Sequence, residues 1–183
     1  LEYASTEMKA DREVVLEAVK NDGFALLKAS PELRGDRELL LEAVRNCGEV
    51  IRCAHPEFWS DRQVVLEAVR QFGTFLACAS GELKNDREVV TAAVLQDGEA
   101  LYFANEDLKR DPEVVFAAVA RWGLALNYAH RDLKNDRTLV LLAVTENGLA
   151  LRYASKELKD DKDVVIAALK QTRCAQMYMS DRL

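Results

Sequence analysis

An all-α solenoid of stacked two-helix repeats is the fold this sequence predicts, and three observations predict it. Asp recurs at 11, 36, 61, 86, 111, 136 and 161, and Gly at 23, 48, 73, 98, 123 and 148, all spaced by 25 residues without insertion or deletion. Ala recurs with the same period at 18, 43, 68, 93, 118, 143 and 168, and again at 4, 29, 54, 79, 104, 129 and 154. Within each unit the apolar residues fall on a helical stripe, in segments too short to be stable alone, so the copies must stack on one another.

The unit beginning at Asp86 reads D-R-E-V-V-T-A-A-V-L-Q-D-G-E-A-L-Y-F-A-N-E-D-L-K-R. Its Asp is a helix N-cap, able to accept bonds from the free N–H groups of the first turn. Pro112 follows the Asp in one copy, at the position where proline is favoured, and acids in the first turn suit the helix dipole. Val89, Val90, Ala93 and Val94 form the buried stripe of a helix of about 11 residues, roughly 16 Å long. Gly98 is expected to stop it in a left-handed C′ conformation.

A second helix of about 7 residues is expected next, with Ala100, Leu101 and Ala104 facing inward, as Val50, Ile51 and Ala54 or Ala125, Leu126 and Ala129 do elsewhere. A polar turn, as at Ser30 to Arg34, then carries one anchor (Leu33, Phe58, Leu83, Leu108, Leu133 or Leu158) before the next cap. Residues 1–183 thus read as one right- or left-handed solenoid. Residues 1–10 form a partial repeat, repeats start at Asp11, Asp36, Asp61, Asp86, Asp111 and Asp136, and a degenerate cap starts at Asp161. Leu1 to Ala4 align with Leu151 to Ala154, so the chain begins inside a short helix and an upstream segment is expected. At the other end Arg173 and Gln176 occupy the Gly and inner Leu slots, either polar replacements of the kind a capping repeat needs or a frayed segment after Gln171.

Composition narrows the function. The 31 acids and 25 bases give a net charge of −6, against nucleic acid or an anionic membrane as partner. No run approaches the ~20 apolar residues of a membrane span, so a soluble chain is expected. The chain is long enough to bury a core without disulfides, so Cys47, Cys53, Cys78 and Cys174 suggest a reducing, intracellular setting.

Residues 133–155, with Leu133, Lys134, Asn135, Asp136, Arg137, Ala143, Val144, Gly148, Ala150, Leu151, Tyr153, Ala154 and Ser155, resemble the repeat family known as domain of unknown function 4116. The resemblance extends over the chain to about Gln171. It implies the repeat fold and carries no activity, cofactor or binding residues with it.

No catalytic signature, phosphate loop or metal-ligand spacing is present. His55 and His130 share one turn slot, three repeats and roughly 30 Å apart, too far for a common metal. Cys53 and Cys78 stand where other copies have Phe103, Tyr128 and Tyr153, and read with Cys47 as buried or half-buried packing residues. The Asp ladder reads as caps, and Asp160, Asp161 and Asp163 as a solvated turn. The row of Arg12, Arg37, Arg62, Arg87, Arg137 and Lys162 beside the acids reads as weakly paired surface charge.

The informative signal is where the repeats differ. Tyr102, Phe103, Trp122, Leu124, Tyr128, Leu149 and Tyr153 gather large apolar groups in repeats four to six, where earlier copies hold Asp22, Lys28, Glu49, Arg52 and Cys53. They are candidate protein-binding residues, unless Phe103, Tyr128 and Tyr153 merely pack between short helices. The expectation is a non-enzymatic scaffold without metal or cofactor, binding a protein partner within a longer protein or larger assembly. The alternatives are a structural spacer, or a repeat module appended to a catalytic domain elsewhere.

Overall fold

The structure, a computed structural model, describes residues 1–179. Among them it is all-α, with no strand. Seven helices of ten residues each repeat along the chain: Arg12–Asn21, Arg37–Asn46, Arg62–Gln71, Arg87–Gln96, Pro112–Arg121, Arg137–Glu146 and Lys162–Gln171. The aspartate before each one caps it. Asp86 Oδ1, for example, accepts from the Glu88 and Val89 N–H groups at 3.0 and 3.1 Å. The five inner long helices bury the stripe expected of them: Val89, Val90, Ala93 and Val94 are fully buried, as are Val114, Val115, Ala118 and Val119, whereas in the first helix Val15 and Val19 are buried and Val14 is exposed.

The second element is shorter and more tightly wound than expected. It is a 3-10 helix of six residues: Gly23–Lys28, Gly48–Cys53, Gly73–Cys78, Gly98–Phe103, Gly123–Tyr128, Gly148–Tyr153 and Arg173–Tyr178. The physical reason is reach. Six residues at the ~2.0 Å rise of a 3-10 helix cover roughly 12 Å, enough to run back along a ten-residue helix of ~15 Å, whereas six at 1.5 Å would cover only ~9 Å. Its inner residues make one continuous core with the long helices: Ala100 and Leu101 are fully buried and Ala104 nearly so. The following turn carries a short helix Pro31–Arg34 or a 3-10 turn such as Leu83–Asn85, and seats its anchor, Leu83, against the core.

The repeating glycine has a different role from the one expected. Among the described residues none, glycine included, has positive φ, so the long helices do not end in a left-handed residue. Instead the glycine opens the 3-10 helix and lets it press on the next repeat. A Cβ on Gly123 would lie 2.5 Å from the Ala143 carbonyl oxygen, and one on Gly148 equally close to that of Ala168. The missing side chain sets the separation of the repeats. Arg173 holds this slot at the start of the 3-10 helix Arg173–Tyr178.

Two polar brackets join successive repeats. At the N-terminal ends, each arginine after a cap reaches the cap of the next repeat: Arg12 Nε donates to Asp36 at 3.0 Å, Arg62 to Asp86 at 2.7 Å, Arg87 to Asp111 at 2.9 Å and Arg137 to Asp161 at 2.8 Å. The basic row is therefore more than loosely interleaved surface charge: it bridges repeats. At the C-terminal ends a side-chain amide accepts from the glycine N–H of the preceding repeat: Asn46 from Gly23 at 3.1 Å, Gln71 from Gly48 at 2.7 Å, Gln96 from Gly73 at 2.6 Å and Gln171 from Gly148 at 3.0 Å. On the turn side a backbone bond recurs, as from Asn105 N–H to Lys84 O at 2.9 Å.

Three outcomes follow for stability. Gly123→Ala is expected to destabilise the array by about 1–3 kcal/mol through overpacking, whereas Gly81→Ala, with nothing within 4 Å of the new methyl, should stay within about 0.5 kcal/mol; denaturant titration separates the two. Leu101→Ala, at a fully buried site, should cost about 2–5 kcal/mol by the same measurement. The third concerns pH. Hydrogen bonds from Arg62, Arg87 and Arg137 hold the carboxyls of Asp86, Asp111 and Asp161 below the usual aspartate range. A carboxyl with a depressed folded-state pKa stabilises above its unfolded value of ~3.9, and that contribution is lost as pH falls through the folded value. Arg62→Ala should thus lower stability slightly near neutral pH, the pair being solvent-exposed, and the difference from the unsubstituted protein should shrink in urea titrations as pH falls below the ordinary aspartate range.

Candidate functional site

The aromatic set gathers along the 3-10 helices of repeats four to six, because the repeat period places equivalent slots side by side. Tyr102 is the most open, at 55% exposure, and Leu149 is also exposed. Phe103, Trp122, Leu124, Tyr128 and Tyr153 are half-buried and lean on the core. The rings touch in sequence: Tyr102 meets Phe103 edge-on with centroids 5.0 Å apart, Tyr102 meets Tyr128 across a repeat boundary at 5.0 Å, and Trp122 meets Tyr128 at 6.1 Å. One aromatic row results, its inner rings filling the space between neighbouring 3-10 helices and Tyr102 standing outermost.

The row extends beyond the residues expected from the sequence. Tyr178 occupies the slot of Tyr128 and Tyr153 one repeat later, and the Arg152 guanidinium sits 5.9 Å from the Tyr153 ring and 5.8 Å from the Tyr178 ring. The 25-residue period carried this signal, since 153 and 178 differ by one repeat.

Acidic groups border the row. Burial, with the nearby charge of Glu99, pushes the Tyr128 hydroxyl up from its ordinary pKa. A recess of about 300 Å³ beside Trp122 is lined by Gln96, Asp97, Gly98, Glu99 and Arg121. Asp97 caps the 3-10 helix through the Glu99 N–H at 2.9 Å. Among the described residues neither Asp97 nor Glu99 forms an ion pair.

A second surface was not picked out from the sequence. On the outward face of the long helices, Glu17, Lys20, Glu42, Arg45, Glu67 and Arg70 of repeats one to three form ion pairs, such as Lys20 to Glu17 at 2.6 Å. In repeats four to six the same slots are uncharged, with Ala92 and Leu95, then Ala117 and Ala120, then Leu142 and Thr145, and Lys170 restores one charge in repeat seven. Leu95 and Ile166 are 55% and 50% exposed there, and Thr91, Ala92 and Leu95 line a groove of about 750 Å³ with Arg70, Arg87 and Glu88. The slot-by-slot change at 17, 42, 67 and 92 was the available signal.

The remaining sequence candidates lie apart. His130 makes a local turn, its Nδ1 accepting from the Asp132 N–H at 3.4 Å and lying 3.3 Å from the Asp132 carboxylate. His55 precedes the 3-10 helix Pro56–Ser60 and makes no side-chain cap. Cys47 is half-buried, but Cys53 and Cys78 are exposed, contrary to their expected packing role. A thiol is too short to cover the neighbouring 3-10 helix as the equivalent tyrosines do. Among the described residues no three His, Cys, Asp or Glu side chains group to hold a metal ion, and no helix is long and apolar enough to cross a membrane.

Comparison with known proteins agrees with the repeat architecture. No curated protein matches the chain, and no solved structure does. The family described as Domain of unknown function (DUF4116) matches in six overlapping windows, residues 1–34, 11–59, 36–82, 61–109, 111–159 and 136–183. With these windows covering nearly its whole length, the chain belongs to that family as a tandem array of its repeats.

Proposed function

We propose that the chain is a non-enzymatic interaction scaffold whose aromatic row receives a partner segment carrying arginine or lysine beside apolar side chains. The observation that carries this reading is the row itself: Tyr102 and Tyr128 in contact across a repeat boundary, at slots where earlier repeats hold Arg52 and Cys53. The fold does not require aromatic rings at these slots, because the early repeats stack without them. Tyr and Trp are favoured interface anchors, and a cation gains by lying over their faces. Asp97 and Glu99 at the border, and the net charge of −6, complement a basic segment. Arg121, which also lines the recess, favours a segment that places its cations over Tyr102 and Glu99.

Trp122 serves as the reporter in a Trp59→Phe background, which removes the other tryptophan. Titration with a peptide alternating arginine and leucine is expected to change its emission saturably, and Tyr102→Ala or Glu99→Lys to weaken that response about tenfold or more, as for an anchor residue. Equal responses to the peptide with glutamate in place of arginine, or no saturable response, would overturn the reading in favour of a spacer without a ligand of its own.

A further inference from the structure

The polar brackets between repeats are missing at one place. Numbering repeats from Asp11, an arginine reaches the next cap at the junctions one–two, two–three, three–four, four–five and six–seven. At the five–six junction the arginine slot holds Pro112, whose ring has nothing to donate, and the acid two residues after the next cap is replaced by Thr138. Asp136 is left with a cap bond to the Leu139 N–H at 2.9 Å, where the caps at 11, 36, 61, 86, 111 and 161 each hold two N–H groups.

The second bracket fails at the same junction. The slot that supplies an amide to the preceding glycine holds Glu146, and no side chain accepts from the Gly123 N–H among the described residues. Arg121 likewise breaks the amide bracket at four–five, but there Arg87 still bridges to Asp111 and Glu113. Among the described residues, five–six alone has neither bracket. What joins the two repeats is apolar packing, a backbone bond from Ser155 N–H to Lys134 O at 2.9 Å, and Ser155 Oγ to Asn135 Oδ1 at 2.6 Å.

We propose that this junction is a built-in hinge, at which repeats six and seven move and open as one block against repeats one to five. Both lost brackets lie at the ends of the long helices, and both surviving polar bonds lie at the turn, so the turn acts as pivot while the long helices part. A repeat array opens where nearest-neighbour coupling is weakest. The six–seven junction keeps both brackets, Arg137 to Asp161 and Asp163, and Gly148 to Gln171, and for that reason the two last repeats travel together. The hinge divides the aromatic row, with Trp122 and Tyr128 on one side and Leu149 and Tyr153 on the other, but it stands whether or not the row binds a partner.

Hydrogen exchange on the full chain, read by mass spectrometry, tests this directly. The helices Arg137–Glu146 and Lys162–Gln171 are expected to exchange together, about tenfold or more faster than Arg87–Gln96. Rebuilding the brackets with the residues other repeats use, Pro112→Arg with Thr138→Glu, or Glu146→Gln alone, should slow both helices by roughly three- to tenfold and leave the first three repeats unchanged. Two results would overturn the hinge: exchange uniform along the array, or faster exchange toward the C-terminus that neither substitution alters, as ordinary fraying of the last repeat would give. Glu146→Gln changes one exposed side chain, so the test does not depend on how the proline variant folds.

Discussion

The seating of each 3-10 helix on the carbonyl end of the following long helix governs the rest of the molecule. At Gly23, Gly123 and Gly148 a single methyl group would come within 2.5 Å of a backbone oxygen, so the repeats approach as closely as their main chains permit. That approach brings the amide of Gln71 onto the Gly48 N–H and the guanidinium of Arg62 onto Asp86. It also closes the core over Leu101, Leu126 and Leu151, all fully buried. Ten-residue helices and six-residue 3-10 turns have little stability of their own. Here each borrows its order from the copy on either side, and cohesion is set junction by junction.

The capping aspartates combine two tasks. Asp86 closes the first turn of its own helix through one carboxylate oxygen and receives Arg62 of the previous repeat chiefly through the other. Exposed ion pairs of this kind add little energy individually, but a shared carboxylate fixes register, because a slipped repeat would misplace the arginine and the cap at once. With register and core secured by constant slots, the variable slots are released from structural duty. The outward faces diverge accordingly, charged and mutually paired in repeats one to three, apolar and aromatic in repeats four to six.

Much of this was legible from periodicity. The caps, the buried slots of Val89, Val90, Ala93, Val94, Ala100 and Leu101, and the anchor leucines all follow from where residue types recur. The winding of the second element was not legible, because inner residues at 100, 101 and 104 suit either helix type and the choice depends on the distance to be spanned. The glycine's role was not legible within one unit, where it resembles a left-handed helix stop, because its requirement comes from a residue 20 positions away, Ala143 for Gly123. The brackets are fixed offsets in the sequence, Arg12 to Asp36 and Gly48 to Gln71, but each partner taken alone is an ordinary surface side chain, and only the stacking brings the two together. Of the aromatic row, the identity of its members was legible; which rings stand outward was not, because that depends on how far one 3-10 helix overlaps the next.

The arginine at position 173 breaks the run of notches. The glycine-bearing units each present a bare backbone slot to the unit that follows, whereas the unit from Asp161 carries a side chain there. Units are therefore not interchangeable under duplication: a copy of a glycine-bearing unit keeps the slot open at each new contact, whereas a copy of the arginine-bearing unit placed among them would set a Cβ where a main-chain carbonyl has to lie. Which unit is copied, and not only how many times, decides whether a lengthened array can close its core.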